Sequence, residues 1–188
     1  MIVKILVVSD EYPDNYWLNY NWGANPDHLM FLEGRRVDEI VGPLIFDLKG
    51  RVSLEAFNRY DYFSSDGPSV ISERFANRLR QKCGSEVQLI AAIINLNGNA
   101  QSGYCVMNIL NADKAFDMER CVYKPLLAAL PEGPKKFKHI RLLENQPRFN
   151  IFRAEEHNPS IVISDELAQM LSVARIKGVE FYNELDNI

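Results

Sequence analysis

The chain has 188 residues, 47% of them hydrophobic and 24% charged, with 21 Lys+Arg against 25 Asp+Glu for a net charge of −4. That length predicts one domain spanning residues 1–188, large enough to bury a core without disulfides or metal. The composition excludes disordered, collagenous and coiled-coil chains, and the mild acidity argues against non-specific nucleic-acid binding, which needs a basic face.

Ile2 to Val8 predicts a buried first strand, rich in Ile and Val. Lys4 interrupts the apolar run and Ser9-Asp10-Glu11 follows it, so the pattern differs from an export signal. Asp10 to Gly34 follows no regular period. It mixes Tyr12, Tyr16, Trp17, Tyr20 and Trp22 with Asn and Asp, and Pro13, Gly23 and Pro26 break it. Long loops of this kind are uncommon and often functional. Two readings stand: the aromatics fold back as a lid on the core, or they form an exposed recognition surface, because Trp and Tyr are favoured interface anchors.

Leu44–Leu48 predicts a short strand, Ser53–Phe57 a helical turn and Tyr60–Phe63 another strand. Ser72 is placed to cap a helix whose Phe75, Ala76 and Leu79 recur at helical spacing. Gly84 is expected to end that helix in the left-handed conformation. Val87–Leu96 and Gly103–Leu110 predict two strands, and Asn97-Gly98 signals a hairpin between them. Further on, Cys121–Tyr123 reads as a strand, Leu126–Leu130 as a short helix, and His139–Leu143 and Asn150–Arg153 as two strands. Glu155 to Pro159 reads as a turn. Val162–Leu171 then repeats Val70–Leu79 at an offset of about 92 residues, with Ser164 matching Ser72. The resulting class is α+β, a mostly antiparallel sheet with two or three helices packed on one face.

Little chemistry is written in motifs. No phosphate loop, GxGxxG, HExxH or GxSxG is present, and His28, His139 and His157 lie far apart. Cys83, Cys105 and Cys121 lack zinc spacing and read as free thiols in a reducing compartment. Cys105 sits in an apolar strand, which suits an inert thiol; a pocket placing it beside His139 or His157 would favour an enzyme. Glu155-Glu156 and Asp165-Glu166 have no enclosing motif, and acids at a helix start already favour the macrodipole. Asp10, Glu11, Asp14 and Asp27 do not match a calcium loop. Lys135, Lys136, Lys138, His139 and Arg141 read as a solvated strand entry or a local basic patch. No apolar stretch approaches the ~20 residues of a membrane span.

Three blocks carry a family resemblance. They are Asp66–Phe75, then Tyr104–Leu110 with Ala115-Phe116-Asp117, and last Asn150–Arg153 with Ile161–Leu167 and Lys177–Phe181. Together they resemble a bacterial family of immunity proteins of polymorphic toxin systems, over residues 44–183. The resemblance implies a cytoplasmic protein that binds and neutralises a cognate toxin, with no catalytic site and no cofactor. The quoted motifs read as fold-building residues. Arg153 is open: it can pair with Asp165 to tie strand to helix, or face a partner.

The partner-binding candidates come from outside those blocks. Trp17, Tyr20 and Trp22 are the expected anchors, with Asp14 and Asp27 as steering charges. The expected partner is a toxin protein, not nucleic acid or a membrane. A self-associating module, in which the aromatic segment forms a homodimer contact, is the alternative; an enzyme without a detectable motif is a third.

Overall fold

The computed structural model describes residues 2–48, 50–144 and 147–186. β1 (Val3–Val8) sends Val3 and Ile5 to one side and Leu6 to the other. β2 (Leu18–Tyr20) and β3 (Leu44–Leu48) each bury alternate residues, the period-2 signature of a half-buried strand. α1 (Leu54–Phe57) is one turn capped by Ser53, whose Oγ accepts from the Ala56 amide. β4 (Tyr62–Phe63) and β5 (Val70–Ser72) lead into α2 (Glu73–Cys83). β6 (Val87–Leu96) and β7 (Asn99–Ile109) form a long hairpin. Its turn places Asn97 at φ 51° and Gly98 at φ 80°, the left-handed pair a two-residue turn requires.

The second half begins with β8 (Ala112–Asp113), β9 (Val122–Pro125) and β10 (Lys135–Arg141). β11 (Ile151–Ala154), β12 (His157–Ser164) and α3 (Asp165–Val173) come next, then β13 (Val179–Tyr182) and β14 (Glu184–Asp186). Among the described residues three sheets result. Their orders are β2-β3-β6-β7-β5-β4, β13-β1-β12-β11-β8 and β14-β10-β9. The pairs β3–β6 and β8–β11 are parallel, and the other named pairs are antiparallel, so the chain is α+β.

The recurrence read from the sequence has a three-dimensional counterpart. Ser72 Oγ accepts from the Phe75 amide and Ser164 Oγ from the Leu167 amide, each at 3.2 Å. Each cap begins the helix of a strand–helix–strand unit, β5-α2-β6 or β12-α3-β13. In both units an antiparallel strand lies between the two parallel ones: β7 in the first, β1 in the second. β7 follows its unit by a hairpin, whereas β1 comes from the start of the described chain. The two units therefore share a spatial plan reached by different connections.

The described residues form three apolar clusters. The first joins Phe75 and Leu79 of α2 and Leu167 and Leu171 of α3 to Met107 and Ile163 of the two larger sheets. The second packs Phe31 and Phe57 with Tyr20, Phe46, Ile94 and Val106. The third sets Ile5, Phe152 and Val162 against Phe116, Phe137 and Ile140. Each fully buried large side chain contributes about 2–3 kcal/mol relative to exposure.

Three local expectations are corrected. Gly84 is right-handed, at φ −58° and ψ −27°. Its glycine is explained by crowding instead, since a Cβ there would lie 2.9 Å from the Arg80 carbonyl oxygen. Leu126–Leu130 is a turn, closed by the Leu130 amide donating to Leu127 O; its leucines are exposed and have no core to hold a helical face. The turn at Glu155 ends by His157, where β12 begins.

Candidate functional site

The aromatic segment is neither wholly lid nor wholly surface. Alternation from the first 3-10 turn into β2 divides it. Tyr16, Leu18 and Tyr20 point into the second cluster, while Trp17, out of phase with them, is 51% exposed. β2 pairs with β3 on one side, and on the other the Leu18 amide donates to Ser64 O at 2.9 Å. Asp66 adds a carboxylate that accepts from the Tyr20 amide at 2.5 Å. Gly67 lets that loop come close, because a Cβ at this position would lie 2.6 Å from the Tyr20 ring.

After β2 the chain turns on Asn21, whose Oδ1 accepts from the amides of Gly23 and Ala24. That turn carries Trp22 out to 53% exposure. Asn25 then imitates a strand neighbour: its amide donates to Ile45 O at 2.7 Å and accepts from Ile45 N at 2.8 Å. Trp22 is seated edge-on against Tyr20 at 5.2 Å and against His28 at 4.7 Å between ring centroids. Both tryptophans are thus displayed from a hydrogen-bonded frame, the arrangement that lowers the entropy lost on binding.

The acids sit beside them. Exposed Asp14 opens a single 3-10 turn, Asp14–Tyr16, and borders the same shallow recess as Trp17, Tyr12 and Ser64. Asp27 caps a second 3-10 turn, His28–Leu32, accepting from the Leu29 amide at 3.0 Å. Its Oδ1 also lies 3.3 Å from His28 Nδ1, but off hydrogen-bond geometry. The five candidates therefore form two pairs with a support: Trp17 with Asp14 and Trp22 with Asp27, at opposite ends of β2, and Tyr20 beneath Trp22. Tyr20 is corrected from anchor to support, being only 2% exposed, with its hydroxyl donating to Pro26 O at 2.8 Å. Burial, and then the Asp27 charge, push that phenol up to about 12.

A second apolar surface escaped the sequence reading. Val122 and Tyr123 of β9 and Leu126, Leu127 and Leu130 after it are all at least 40% exposed. β9 is an edge strand of its sheet, so one side of its backbone has no strand neighbour among the described residues. Lys135 stands over the Tyr123 ring at 5.8 Å. The basic run of β10 surrounds buried Phe137 and Ile140, three residues apart across a bulge between Phe137 and His139, and β14 partners two of its side chains. His139 Nδ1 lies 2.7 Å from Asp186 Oδ1, and Arg141 reaches Glu184 and Asp186 at 3.2 and 2.8 Å. The run of exposed apolar side chains was the only signal, and a helix reading absorbed it.

The other candidate groups have structural partners. Cys105 is 7% exposed and its polar neighbour is Glu73, 3.8 Å from the sulfur, not a histidine. Burial, with the Glu73 charge, pushes its thiol up, away from nucleophilic use at neutral pH. Glu156 accepts from the Ala115 amide at 3.2 Å. Asp165 lies 3.4 Å from Lys4 and accepts from Gln169; Arg153 does not pair with it. Among the described residues no group of three or more His, Cys, Asp or Glu converges to hold a metal ion, and no helix is long and apolar enough to cross a membrane. No protein-family model matches the chain, and no curated protein matches it.

Proposed function

We propose that this chain is a cytoplasmic bacterial immunity protein that binds a cognate toxin stoichiometrically and neutralises it, without catalysis or a cofactor. The observation that carries the reading is the display of Trp17 and Trp22, each about half exposed, from a frame fixed by buried Tyr20 and by Asp66 at the surface. Rigid aromatic anchors of this kind supply most of the binding energy in protein interfaces. Asp14 and Asp27 flank them, and the chain carries a net charge of −4, which speeds encounter with a basic toxin. An interface of ordinary size buries about 1,600 Å² in total, enough to engage the residues at both ends of β2.

The test is capture of the toxin from the source organism with tagged protein, followed by co-expression scored as growth. The reading predicts a toxin whose growth arrest is relieved by the wild type and restored by Trp17→Ala/Trp22→Ala. Undiminished relief by the double variant would remove this surface. No relief by the wild type would remove the function.

A second reading, self-association, is favoured by a different observation: the exposed leucines that follow edge strand β9. It predicts a dimer in sedimentation that Leu126→Ser/Leu127→Ser converts to monomer. A wild-type monomer at all accessible concentrations would end it.

A further inference from the structure

A cavity of about 490 Å³ lies where β1, β10 and β12 approach the loop before β5. Its volume falls in the range of about 300–1,000 Å³ usual for small-molecule sites. Phe137, Ile140 and Leu185 give it an apolar wall, and its cationic or basic groups are Arg153, Lys136 and His157. No Asp or Glu is among the described residues that line it, in a chain whose net charge is −4.

Arg153 is the unusual member. It is 95% buried, yet it makes no ion pair among the described residues. Nη1 donates to the neutral carbonyl of Asn158 at 2.8 Å, and Nε is buried without a partner among the described residues. The titratable group that acts on it is the Tyr62 phenol, which already pairs with Ser69 Oγ at 2.5 Å. Burial lowers the guanidinium to about 10, so it stays cationic at neutral pH. A buried cation normally has a carboxylate or phosphate opposite it. Here no described residue supplies one.

We infer that this cavity is a binding site for a small organic carboxylate with an apolar body, its carboxylate on Arg153 and its hydrocarbon against Phe137, Ile140 and Leu185. An arginine fork matches a carboxylate geometrically. The apolar wall favours a ligand with a hydrocarbon body over one that is charge alone, such as inorganic phosphate. Neither tryptophan lines the cavity, and the inference stands whether or not the protein neutralises a toxin.

Titration calorimetry with butanoate, hexanoate and octanoate, and with octanol as the neutral control, tests it on the whole protein. Octanoate is expected to bind once per chain, with affinity rising about 3–4-fold per added methylene along the series. Octanol is expected to bind about 10-fold more weakly or worse, because it cannot answer the charge. Arg153→Met is expected to lose about 10-fold or more in octanoate affinity while keeping its octanol affinity. Absent saturable octanoate binding, or equal affinity for octanoate and octanol, overturns the inference on the wild type alone, whether or not the variant folds. Octanoate affinity unchanged in a folded Arg153→Met overturns it as well.

Discussion

The Asp61 carboxylate accepts a hydrogen bond from the backbone amide of Lys177, 116 residues further along the chain, at 2.9 Å. The same carboxylate accepts from the Ser72 hydroxyl at 2.7 Å and from Arg74 Nε at 2.9 Å. Asp61 thus ties the cap of α2 to the linker that leaves α3. The second unit returns the contact: Glu86, in the linker that leaves α2, accepts from the amides of Asn150 and Ile151 at 2.7 and 2.9 Å. Asn150 in turn accepts from the Ser164 amide and hydroxyl at the cap of α3. Each helix cap is therefore supported by the exit of the other helix.

Asp61 is only 3% exposed, so its removal strands several donors in the interior. Asp61→Ala is expected to cost about 1–3 kcal/mol, the usual loss when buried donors lose their acceptor, because the Arg74 side chain is 52% exposed and stays solvated. Asp61→Asn, which keeps part of the hydrogen bonding, is expected to cost less. Denaturant unfolding of both variants measures the difference.

The reciprocal ties also predict coupling. Glu86→Ala removes both amide bonds and a third bond from Asn150 Nδ2 at 3.0 Å, and Asn150→Ala removes that third bond, so their costs are not additive. A double-mutant cycle is expected to give a coupling of about 0.5–3 kcal/mol. Glu86→Ala paired with the distant Trp22→Ala is expected to add within about 0.5 kcal/mol.

Much of this fold is legible in the sequence because its causes are local. Ser72 and Ser164 declare their caps through the helical spacing of the apolar residues after them, and Asn97-Gly98 declares its turn by the φ values those residues tolerate. Even the parity that separates Trp17 from Tyr16, Leu18 and Tyr20 is written in alternation, once a strand is assumed. The cross-ties are not legible, since nothing near Asp61 points to Lys177. Arg153 belongs to the same class: its isolation follows from which strands surround it, and an expected partner, Asp165, is engaged by Lys4 instead. The exposed leucines after β9 misled for a different reason. A run of apolar residues signals burial only when something covers it.

The division of the aromatic segment has an energetic signature. Tyr20→Ala is expected to cost about 3–5 kcal/mol, the range for deleting a buried aromatic ring. Trp17→Ala is expected to stay within about 0.5 kcal/mol of the wild type, as for other exposed positions. Chemical denaturation of the two variants checks both values.

The three cysteines are buried, and each thiol is raised first by burial, Cys83 to about 12. Native protein at pH 8 is therefore expected to react with a thiol reagent far more slowly than the unfolded chain, which should titrate all three. Fast modification of Cys105 in the native state would contradict its placement.

Burial lowers the His157 pKa below its ordinary 6.5. The unfolded chain then binds a proton at a pH where the native state resists it, and stability rises with pH wherever the unfolded state holds more protons. His157 thus favours the fold above about pH 6.5 and progressively less as acidity increases through its folded pKa. Replacing it with Gln is expected to flatten the loss of stability between pH 7 and pH 5, measured by denaturant midpoints.

The most direct measurement is a calorimetric titration of the purified protein with the captured toxin domain, repeated with Trp17→Ala/Trp22→Ala. The account predicts one-to-one binding that weakens by about 10-fold or more in the double variant, whose fold remains intact. Equal affinity of the folded double variant and the wild type would contradict it.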